Sequence, residues 1–287
     1  MKKTFSTFVK GLVACMLLSI SAYAKEIKEL NLAVIPVAGS SSMEAMWRPV
    51  AKHLEQDLGI KVNLKFVGDY AAVITGMQYK HIDIAYFGPE SYVQAATRAK
   101  AQALVTELND KGVPGYHGII ITKKSSNLTS LESLKGKTWA FTDPNSTSGT
   151  LVPSVYLKKQ GIDPQKYFSK VIYSGGHEAS ILSVKAGRLD AAATNDLDFQ
   201  KGLGKGWKED DFNVIWTSEL IVGAAIAAHG DLPQDLKDKI QKSLLALNDK
   251  KELLKAAKLG GFVAAKDSDY DAVRELVKAK GKKWVKP

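Results

Sequence analysis

The strongest chemical signal in this sequence is a polar run, Asp-Pro-Asn-Ser-Thr-Ser-Gly, at residues 143–149. It follows a predicted strand and leads into a predicted helix. Hydroxyl and backbone N–H groups at a helix start bind tetrahedral oxyanions, because the N–H groups point outward and the helix dipole favours negative charge. A helix cap needs only one Ser, Thr, Asp or Asn, whereas five of the six residues at 143–148 are of these types. The run therefore predicts an anion site, with Ser146, Thr147 and Ser148 as hydroxyl donors.

A second polar helix start lies at 175–178, where the sequence reads Gly-Gly-His-Glu between a predicted strand and a predicted helix. A histidine at a helix N-terminus can donate a hydrogen bond to an anion, and the pKa of His177 would rise if it did so. A glycine-rich turn with an exposed histidine explains the same residues equally well. The residues themselves leave these two interpretations open.

A third helix start, Gly-Pro-Glu-Ser at 88–91, stands at the end of the predicted strand 82–87. In open α/β sheets, ligands lie beyond the carboxyl ends of the strands. We therefore expect the three loops to face one cleft. Because the loops contain neither Arg nor Lys, the anion is expected to be held by neutral donors and oriented dipoles.

Motifs typical of enzymes are missing. The sequence has no GxSxG nucleophile elbow and no HExxH zinc motif. Gly-Lys-Thr at 136–138 matches the end of a P-loop, but Leu131 stands where the first glycine is required. The histidines show no metal-ligand spacing, and the single cysteine, Cys15, excludes a disulfide framework and a cysteine-ligated zinc site. We predict that the protein is not an enzyme and uses no cofactor or metal.

The hydrophobic pattern alternates between strands and helices and so predicts an α/β protein with mostly parallel sheets and helices on both faces. The alternation occurs twice, and the last part of the chain rejoins the first unit. We therefore predict lobe 1 at 25–117 and 219–287, lobe 2 at 118–218, and a cleft between them. Predicted strands lie at 30–36, 62–67, 82–87, 118–122, 138–142, 171–173, 189–194, 212–216 and 221–228, and predicted helices at 44–58, 70–79, 130–134, 150–160, 177–186, 232–247, 250–258 and 268–279.

Composition and charge exclude several classes of protein. With 45% hydrophobic and 24% charged residues, the 287-residue chain has the composition of an ordinary soluble globular protein, which excludes disorder, collagen and coiled coils. The net charge is +10. The lysine pairs are spread along the chain with no aromatic residues between them, so they indicate solvated surfaces and no nucleic-acid partner.

The N-terminus has the pattern of a signal peptide. Three lysines at positions 2, 3 and 10 precede an apolar run at 12–20, and Ala22-Tyr23-Ala24 fits a signal peptidase site. The run is too short for a membrane span of about 20 residues. We predict that residues 1–24 are cleaved after Ala24 and that the protein is exported to the periplasm. A lipoprotein with Cys15 as the anchor ranks second, because almost no apolar run precedes that cysteine.

Several short motifs, in this order, resemble those of the phosphonate-type substrate-binding proteins of ABC importers. They are Asp-Tyr-Ala at 69–71, Ile-Ala-Tyr-Phe-Gly-Pro at 84–89, Pro-Gly-Tyr at 114–116, the run at 143–149 with Leu-Val-Pro at 151–153, and Gly-His-Glu at 176–178. The resemblance covers nearly the whole chain beyond residue 24. It implies a type II periplasmic-binding-protein fold: two Rossmann-like lobes, two crossovers and a ligand cleft that closes. It also implies a small phosphorus oxyanion as ligand and a membrane permease as partner.

The resemblance also implies roles for individual residues. Tyr70 and Tyr116 would donate phenolic hydroxyl groups to the oxygens of the anion. Ser146 and Thr147 would donate from the helix start, in agreement with the run itself, and His177 would donate from the other wall.

The resemblance further bears on the ligand's tail. Members that bind aminoalkylphosphonates use two acids to hold the ligand's ammonium group. The first corresponds to Asp198, and the second corresponds to Ala224, which carries no charge. An ammonium group would then be poorly paired and costly to bury. We expect methylphosphonate, phosphite or phosphate ahead of 2-aminoethylphosphonate, bound by a monomer.

Two alternatives stay open. The protein could present its ligand to a membrane receptor as a sensory module, or it could bind another small anion such as a sulfonate or carboxylate. An exported enzyme acting on phosphorus compounds would need a metal or an activated nucleophile, and neither has a motif in the sequence.

Overall fold

The computed structural model describes residues 27–281; the predicted signal peptide at 1–24, with Cys15, lies outside them. The strands are β1 (Glu29–Val34), β2 (Lys61–Phe66), β3 (Ile84–Phe87), β4 (Gln102–Glu107), β5 (Gly115–Lys123), β6 (Thr138–Phe141), β7 (Lys170–Tyr173), β8 (Ala191–Asn195), β9 (Phe212–Val222), β10 (Ala225–Ala228) and β11 (Phe262–Ala264). The α-helices are α1 (Ser40–Leu58), α2 (Tyr70–Gln78), α3 (Pro89–Ala99), α4 (Val152–Lys159), α5 (Pro164–Tyr167), α6 (His177–Lys185), α7 (Asp196–Lys201), α8 (Gln234–Ala246), α9 (Lys251–Ala257) and α10 (Asp271–Lys280).

The strands form two sheets, one for each lobe. The six-stranded sheet has the order β11-β4-β10-β3-β1-β2, and the five-stranded sheet has the order β7-β6-β8-β5-β9. The predicted α/β fold with two lobes is confirmed, but the expectation of mostly parallel sheets is wrong. β10 runs antiparallel to both of its neighbours, and so does β5. Each of these strands follows a passage between the sheets, whereas the parallel neighbours are joined through helices.

Two short connections carry the chain between the sheets. The first joins β4 to β5 through residues 108–114, and the second joins β9 to β10 through residues 223–224. The predicted lobe boundaries at 117/118 and 218/219 therefore fall inside β5 and β9. The single strand predicted at 221–228 is broken at Gly223, where an added Cβ would lie 2.3 Å from the carbonyl oxygen of Glu107. Only glycine allows the two connections to approach so closely.

Both faces of the five-stranded sheet are buried. Along β5, Ile119 and Ile121 pack into one core cluster, while Ile120 packs into another with Trp139. Because successive side chains of a strand point to opposite faces, this arrangement requires a continuous apolar run instead of an alternating one. A sheet packed on both faces therefore supports the loops at its carboxyl end.

The C-terminal helix α10 packs against α3 of the first lobe and α4 of the second. It therefore lies across the junction of the lobes. None of the helices formed by residues 27–281 combines the length and the apolar character that crossing a membrane requires.

Candidate ligand-binding site between the lobes

A small cavity of about 30 Å³ lies between the two lobes. It stands beyond the carboxyl ends of the central strands, because residues that directly follow or end β1, β3 and β8 line it: Ile35, Gly88 and Asn195. All seven residues that the sequence singled out also line it: Tyr70, Tyr116, Ser146, Thr147, Ser148, His177 and Asp198. The remaining lining residues are Val37, Tyr86, Leu197, Lys201 and Ala224.

The polar run at 143–149 enters a helix earlier than predicted. The helix begins with a π-turn at Thr147–Leu151, in which the Leu151 amide donates to the Ser146 carbonyl oxygen at 2.9 Å. This wide turn holds five residues, and Gly149 at its centre packs tightly: an added Cβ would lie 2.1 Å from Thr142 Oγ1. π-turns of this kind are rare and often occur at functional sites.

The three hydroxyl groups of the run are arranged as donors. Each accepts a hydrogen bond from a neighbouring N–H group, which leaves the hydroxyl proton available for another acceptor. Ser146 Oγ accepts from the Gly149 amide at 3.1 Å, Thr147 Oγ1 from the Glu90 amide at 2.8 Å, and Ser148 Oγ from Asn195 Nδ2 at 3.3 Å. The amides of Thr147 and Ser148, which precede the first hydrogen bond inside the helix, add further donors.

Two tyrosines add phenolic donors to the cavity. Tyr70 begins α2 behind its cap, Asp69, and Tyr116 lies near the start of β5. Tyr70 is only 1% exposed, and its Oη has no hydrogen-bond partner among residues 27–281. Burial, followed by the nearby carboxylates of Asp198 and Asp143, raises the pKa of Tyr70 well above its ordinary value. Burial likewise raises the pKa of Tyr116, so both groups keep their protons.

His177 faces the same cavity from the start of α6. The side chain is buried, with the residue only 3% exposed, so the interpretation as an exposed histidine in a glycine-rich turn is wrong. Its Nδ1 lies 3.0 Å from Thr194 Oγ1, and its Nε2 lies 3.8 Å from Asp198 Oδ2. Burial lowers the pKa of His177, against the opposing effect of Asp198. The imidazole is therefore neutral at pH 7 and has one N–H to donate.

Sequence reasoning missed Lys201, which lies outside the three polar loops whose neutral donors are expected to hold the anion. Lys201 ends α7 and lines the cavity. Its Nζ lies 3.3 Å from Glu107 Oε1 and 3.7 Å from Asp198 Oδ1. Burial alone would lower the pKa of Lys201, but Glu107 and Asp198 outweigh it and raise the pKa, so the ammonium stays charged.

Two more residues of the site have no motif in the sequence. Asn195 ends β8, caps α7, and holds both Asp198 Oδ2 at 2.8 Å and Ser148. Glu107 ends β4, a strand that the hydrophobic pattern did not predict, and its Oε2 accepts a hydrogen bond from Tyr86 Oη at 2.5 Å. The position i+3 to Asp198 on a short helix was the one local signal that could have pointed to Lys201.

The lobes are closed around the cavity. The Gly39 amide donates to Glu178 Oε2 at 2.6 Å, and the Glu178 amide donates to the Val37 carbonyl oxygen at 3.1 Å. On the other side, the side-chain amide of Gln94 donates to Asn145 Oδ1 at 2.8 Å. These bonds join segments that follow strands of different sheets, so they form only when the lobes meet.

The arrangement suits a small tetrahedral oxyanion. Hydroxyl, phenol, imidazole and amide donors converge on a water-poor cavity, where their dipoles act strongly on negative charge. Within residues 27–281, no three His, Cys, Asp or Glu side chains are grouped so that they could hold a metal ion.

A family model described as "ABC transporter, phosphonate, periplasmic substrate-binding protein" matches residues 32–270. The chain belongs to this family. The phosphonates-binding periplasmic protein of Escherichia coli (strain K12) is 31% identical over 278 residues, which cover 94% of this chain and 82% of that protein. The phosphate-import protein PhnD of Mycolicibacterium smegmatis is 30% identical over 280 residues, which cover 90% of this chain and 87% of that protein.

A solved member of the phosphonate family has the same fold. The structure of PhnD1 from Prochlorococcus marinus (MIT 9301) in complex with methylphosphonate matches with a TM-score of 0.79 and 25% identity, covering 87% of this chain and 97% of that one. The resemblance seen in the sequence motifs and the two-lobed type II fold are thereby confirmed. The chain is a substrate-binding protein of the kind that serves phosphonate-type ABC importers, a family of transport proteins.

Proposed function

We propose that this protein captures a small phosphorus oxyanion without a cationic tail and delivers it to a membrane permease. Methylphosphonate, phosphite and phosphate are the expected ligands, ahead of 2-aminoethylphosphonate. The observation that carries the proposal is the buried Tyr70 hydroxyl, which has no partner among residues 27–281 and lines a cavity that four further hydroxyl donors also line. A buried polar group is rarely left unpaired, and an anion oxygen would pair it.

The size of the cavity supports a compact ligand. A volume of about 30 Å³ accommodates about two or three water molecules. A phosphorus atom with three oxygens and at most one small substituent fits this space better than a ligand with an extended chain. The relatives named above bind or import phosphonates, phosphate or methylphosphonate, and these share the tetrahedral oxyanion.

The lining of the cavity supports the exclusion of a cationic tail. Ala224 belongs to this lining and supplies no carboxylate. The remaining acid, Asp198, already has Asn195 and Lys201 as partners. A ligand ammonium group would therefore lose its hydration without gaining a free counter-ion.

The wider role follows from the family and from the N-terminal pattern. Residues 1–24 would direct export and be removed after Ala24, and the protein would act in the periplasm as a monomer with no enzymatic activity, cofactor or nucleic-acid partner. The closed lobes would report occupancy to the permease, because the interlobe hydrogen bonds of Glu178 and Gln94 exist only in this state.

Calorimetry and thermal shift on the protein lacking residues 1–24 test the proposal. The ligand set is phosphate, phosphite, methylphosphonate, ethylphosphonate, 2-aminoethylphosphonate and sulfate. A ligand at about 100 times its dissociation constant adds roughly 2.7 kcal/mol of stability, which raises the melting temperature by several degrees. We expect this shift with at least one of the three compact phosphorus anions. No shift with any of them, or tighter binding of 2-aminoethylphosphonate than of methylphosphonate, contradicts the proposal.

A matched pair of serine variants localises the site. Ser148→Ala removes a hydroxyl that lines the cavity, and a hydrogen bond to a charged group contributes about 1.5–3 kcal/mol, so affinity should fall roughly 10- to 150-fold. Ser154→Ala removes a buried hydroxyl of α4 that has no hydrogen-bond partner in the described chain and does not line the cavity. Its affinity should equal that of the wild type. Equal affinities for all three proteins would place the ligand elsewhere.

A further inference from the structure

We infer that Lys201 determines specificity by acting as a built-in ammonium group: it occupies the place between Asp198 and Glu107 that a cationic ligand tail would need. The inference rests on the proposed function, since it concerns the same cavity. It goes further in two ways. It names the residue that excludes aminoalkyl ligands, and it names the carboxylates with which the ammonium group of such a ligand would otherwise pair.

The geometry is that of a bridging cation. Lys201 Nζ lies 3.3 Å from Glu107 Oε1 and 3.7 Å from Asp198 Oδ1. Glu107 is only 1% exposed, and the Lys201 side chain is 16% exposed. Two carboxylates held this close together and away from water require a cation between them. The protein supplies that cation from its own chain.

The bridge crosses the cleft. Glu107 ends β4 of the six-stranded sheet, whereas Lys201 and Asp198 lie on α7, which follows β8 of the five-stranded sheet. The Lys201 carbonyl oxygen also accepts a hydrogen bond from Lys258 Nζ. The Lys201 ammonium group thus contacts both lobes, through Glu107 in the first and Asp198 in the second, and contributes to closure.

Every oxygen of the two carboxylates already faces a donor. Asp198 Oδ2 accepts from Asn195 Nδ2 at 2.8 Å, and Glu107 Oε2 accepts from Tyr86 Oη at 2.5 Å, while Lys201 faces the other oxygen of each. A second ammonium group would find no free oxygen and would meet the like charge of Lys201. The hydroxyl groups of Ser146, Thr147 and Tyr70 form no hydrogen bond with Lys201, Asp198 or Glu107, so they stay available to a compact anion while the bridge is intact.

Removal of the lysine should open a cationic subsite. In Lys201→Ala, the carboxylates of Asp198 and Glu107 lose their ammonium partner and the side-chain volume becomes free. We expect the affinity for 2-aminoethylphosphonate to rise about tenfold or more relative to that for methylphosphonate, measured by calorimetry on the same preparations. Lys201→Gln keeps a hydrogen-bond donor for both carboxylates and therefore disturbs folding less. Its relative affinity for 2-aminoethylphosphonate should also rise, but by a smaller factor.

Lys205→Ala is the matched control. It removes a positive charge four residues further along the chain, from a residue that does not line the cavity. The ratio of the two affinities should stay at the wild-type value. An equal gain in Lys205→Ala would mean that any lost positive charge suffices, and this would overturn the inference.

The outcomes separate the inference from the proposed function. If the wild-type protein binds none of the compact phosphorus anions, the proposed function fails, and the role of Lys201 fails with it. If the wild type and both Lys201 variants bind methylphosphonate but neither variant gains preference for 2-aminoethylphosphonate, the inference alone is overturned.

Discussion

Replacing Tyr70 by Phe should have opposite effects on stability and on ligand binding. The Tyr70 hydroxyl is buried, and none of residues 27–281 provides it with a hydrogen-bond partner. In the ligand-free protein it is therefore a buried polar group without a hydrogen-bond partner from the described residues, which costs free energy. Removing one oxygen atom relieves that cost and leaves the ring, with its packing in the core of the first lobe, in place.

The two magnitudes can be worked out separately. Leaving a buried hydroxyl unpaired costs about 1–3 kcal/mol, so Tyr70→Phe should raise the ligand-free stability by about 1 kcal/mol. In a chain of this size, this corresponds to a rise of roughly 2–4 °C in melting temperature. In the complex, the same hydroxyl donates to an anion, and its loss costs about 1.5–3 kcal/mol, a roughly 10- to 150-fold weaker dissociation constant.

The assay combines thermal melts without ligand and calorimetry with methylphosphonate. Tyr92→Phe is the matched control, because the Tyr92 hydroxyl is bonded on both sides: it donates to Asp267 Oδ1 at 2.7 Å and accepts from the Ala103 amide at 3.2 Å. This control should lower the melting temperature and leave the affinity unchanged. A Tyr70→Phe protein that melts lower than the wild type, or that binds methylphosphonate as tightly, would refute the reasoning.

Two further predictions concern pH. Burial lowers the pKa of His177 in the ligand-free protein, and an anion bound beside it should raise that pKa. The contribution of His177 to affinity should therefore be complete below the ligand-free pKa and fade as pH rises through the pKa of the complex. The ratio of wild-type to His177→Asn affinities for methylphosphonate, in which titration of the ligand cancels, should increase as pH falls, and a ratio constant with pH would contradict this. Burial raises the pKa of Glu90 to about 7, so the stability that its protonated form provides is lost as pH rises through that value. The free energy of unfolding of Glu90→Gln should exceed that of the wild type by about 3 kcal/mol at pH 8.5 and should not exceed it below pH 5. If urea titrations gave the two proteins equal stability at both pH values, the Glu90 carboxyl would already be solvated.

The local hydrophobic and polar pattern of the sequence was sufficient to predict most of the strands and helices around the site. The continuous apolar run beginning near Leu30 predicted β1 to within two residues, because a strand buried on both faces is apolar throughout. The polar run at 143–149 and the glycines before His177 identified two walls of the site, since the chemistry of a helix start is set by adjacent residues. That these two walls meet in one cavity was expected because ligands of open α/β sheets lie beyond the carboxyl ends of the strands.

What failed depends on distant residues. β4 has a buried polar end, Thr106 and Glu107, whose partners lie far along the chain, so its hydrophobic pattern is too weak to indicate a strand. Lys201 has the local appearance of a surface lysine before a glycine-rich loop, and only its pairing with Glu107, 94 positions away, reveals its place in the site. Tyr70 was predicted as a site residue from the family resemblance alone, because locally it has the appearance of a core aromatic residue; the structure shows it on the cavity with no partner for its hydroxyl among the described residues.

The π-turn at Thr147–Leu151 also has a consequence for how the sequence can change. A π-turn holds one residue more than the α-turn that would connect the same ends, and Gly149 fits at its centre only because it lacks a side chain. Losing one residue here would restore a regular helix and rotate the hydroxyl groups out of the cavity, with every residue type of the motif still present. Selection for binding must therefore preserve the length of this segment as well as its composition, against a shorter form that folds more regularly.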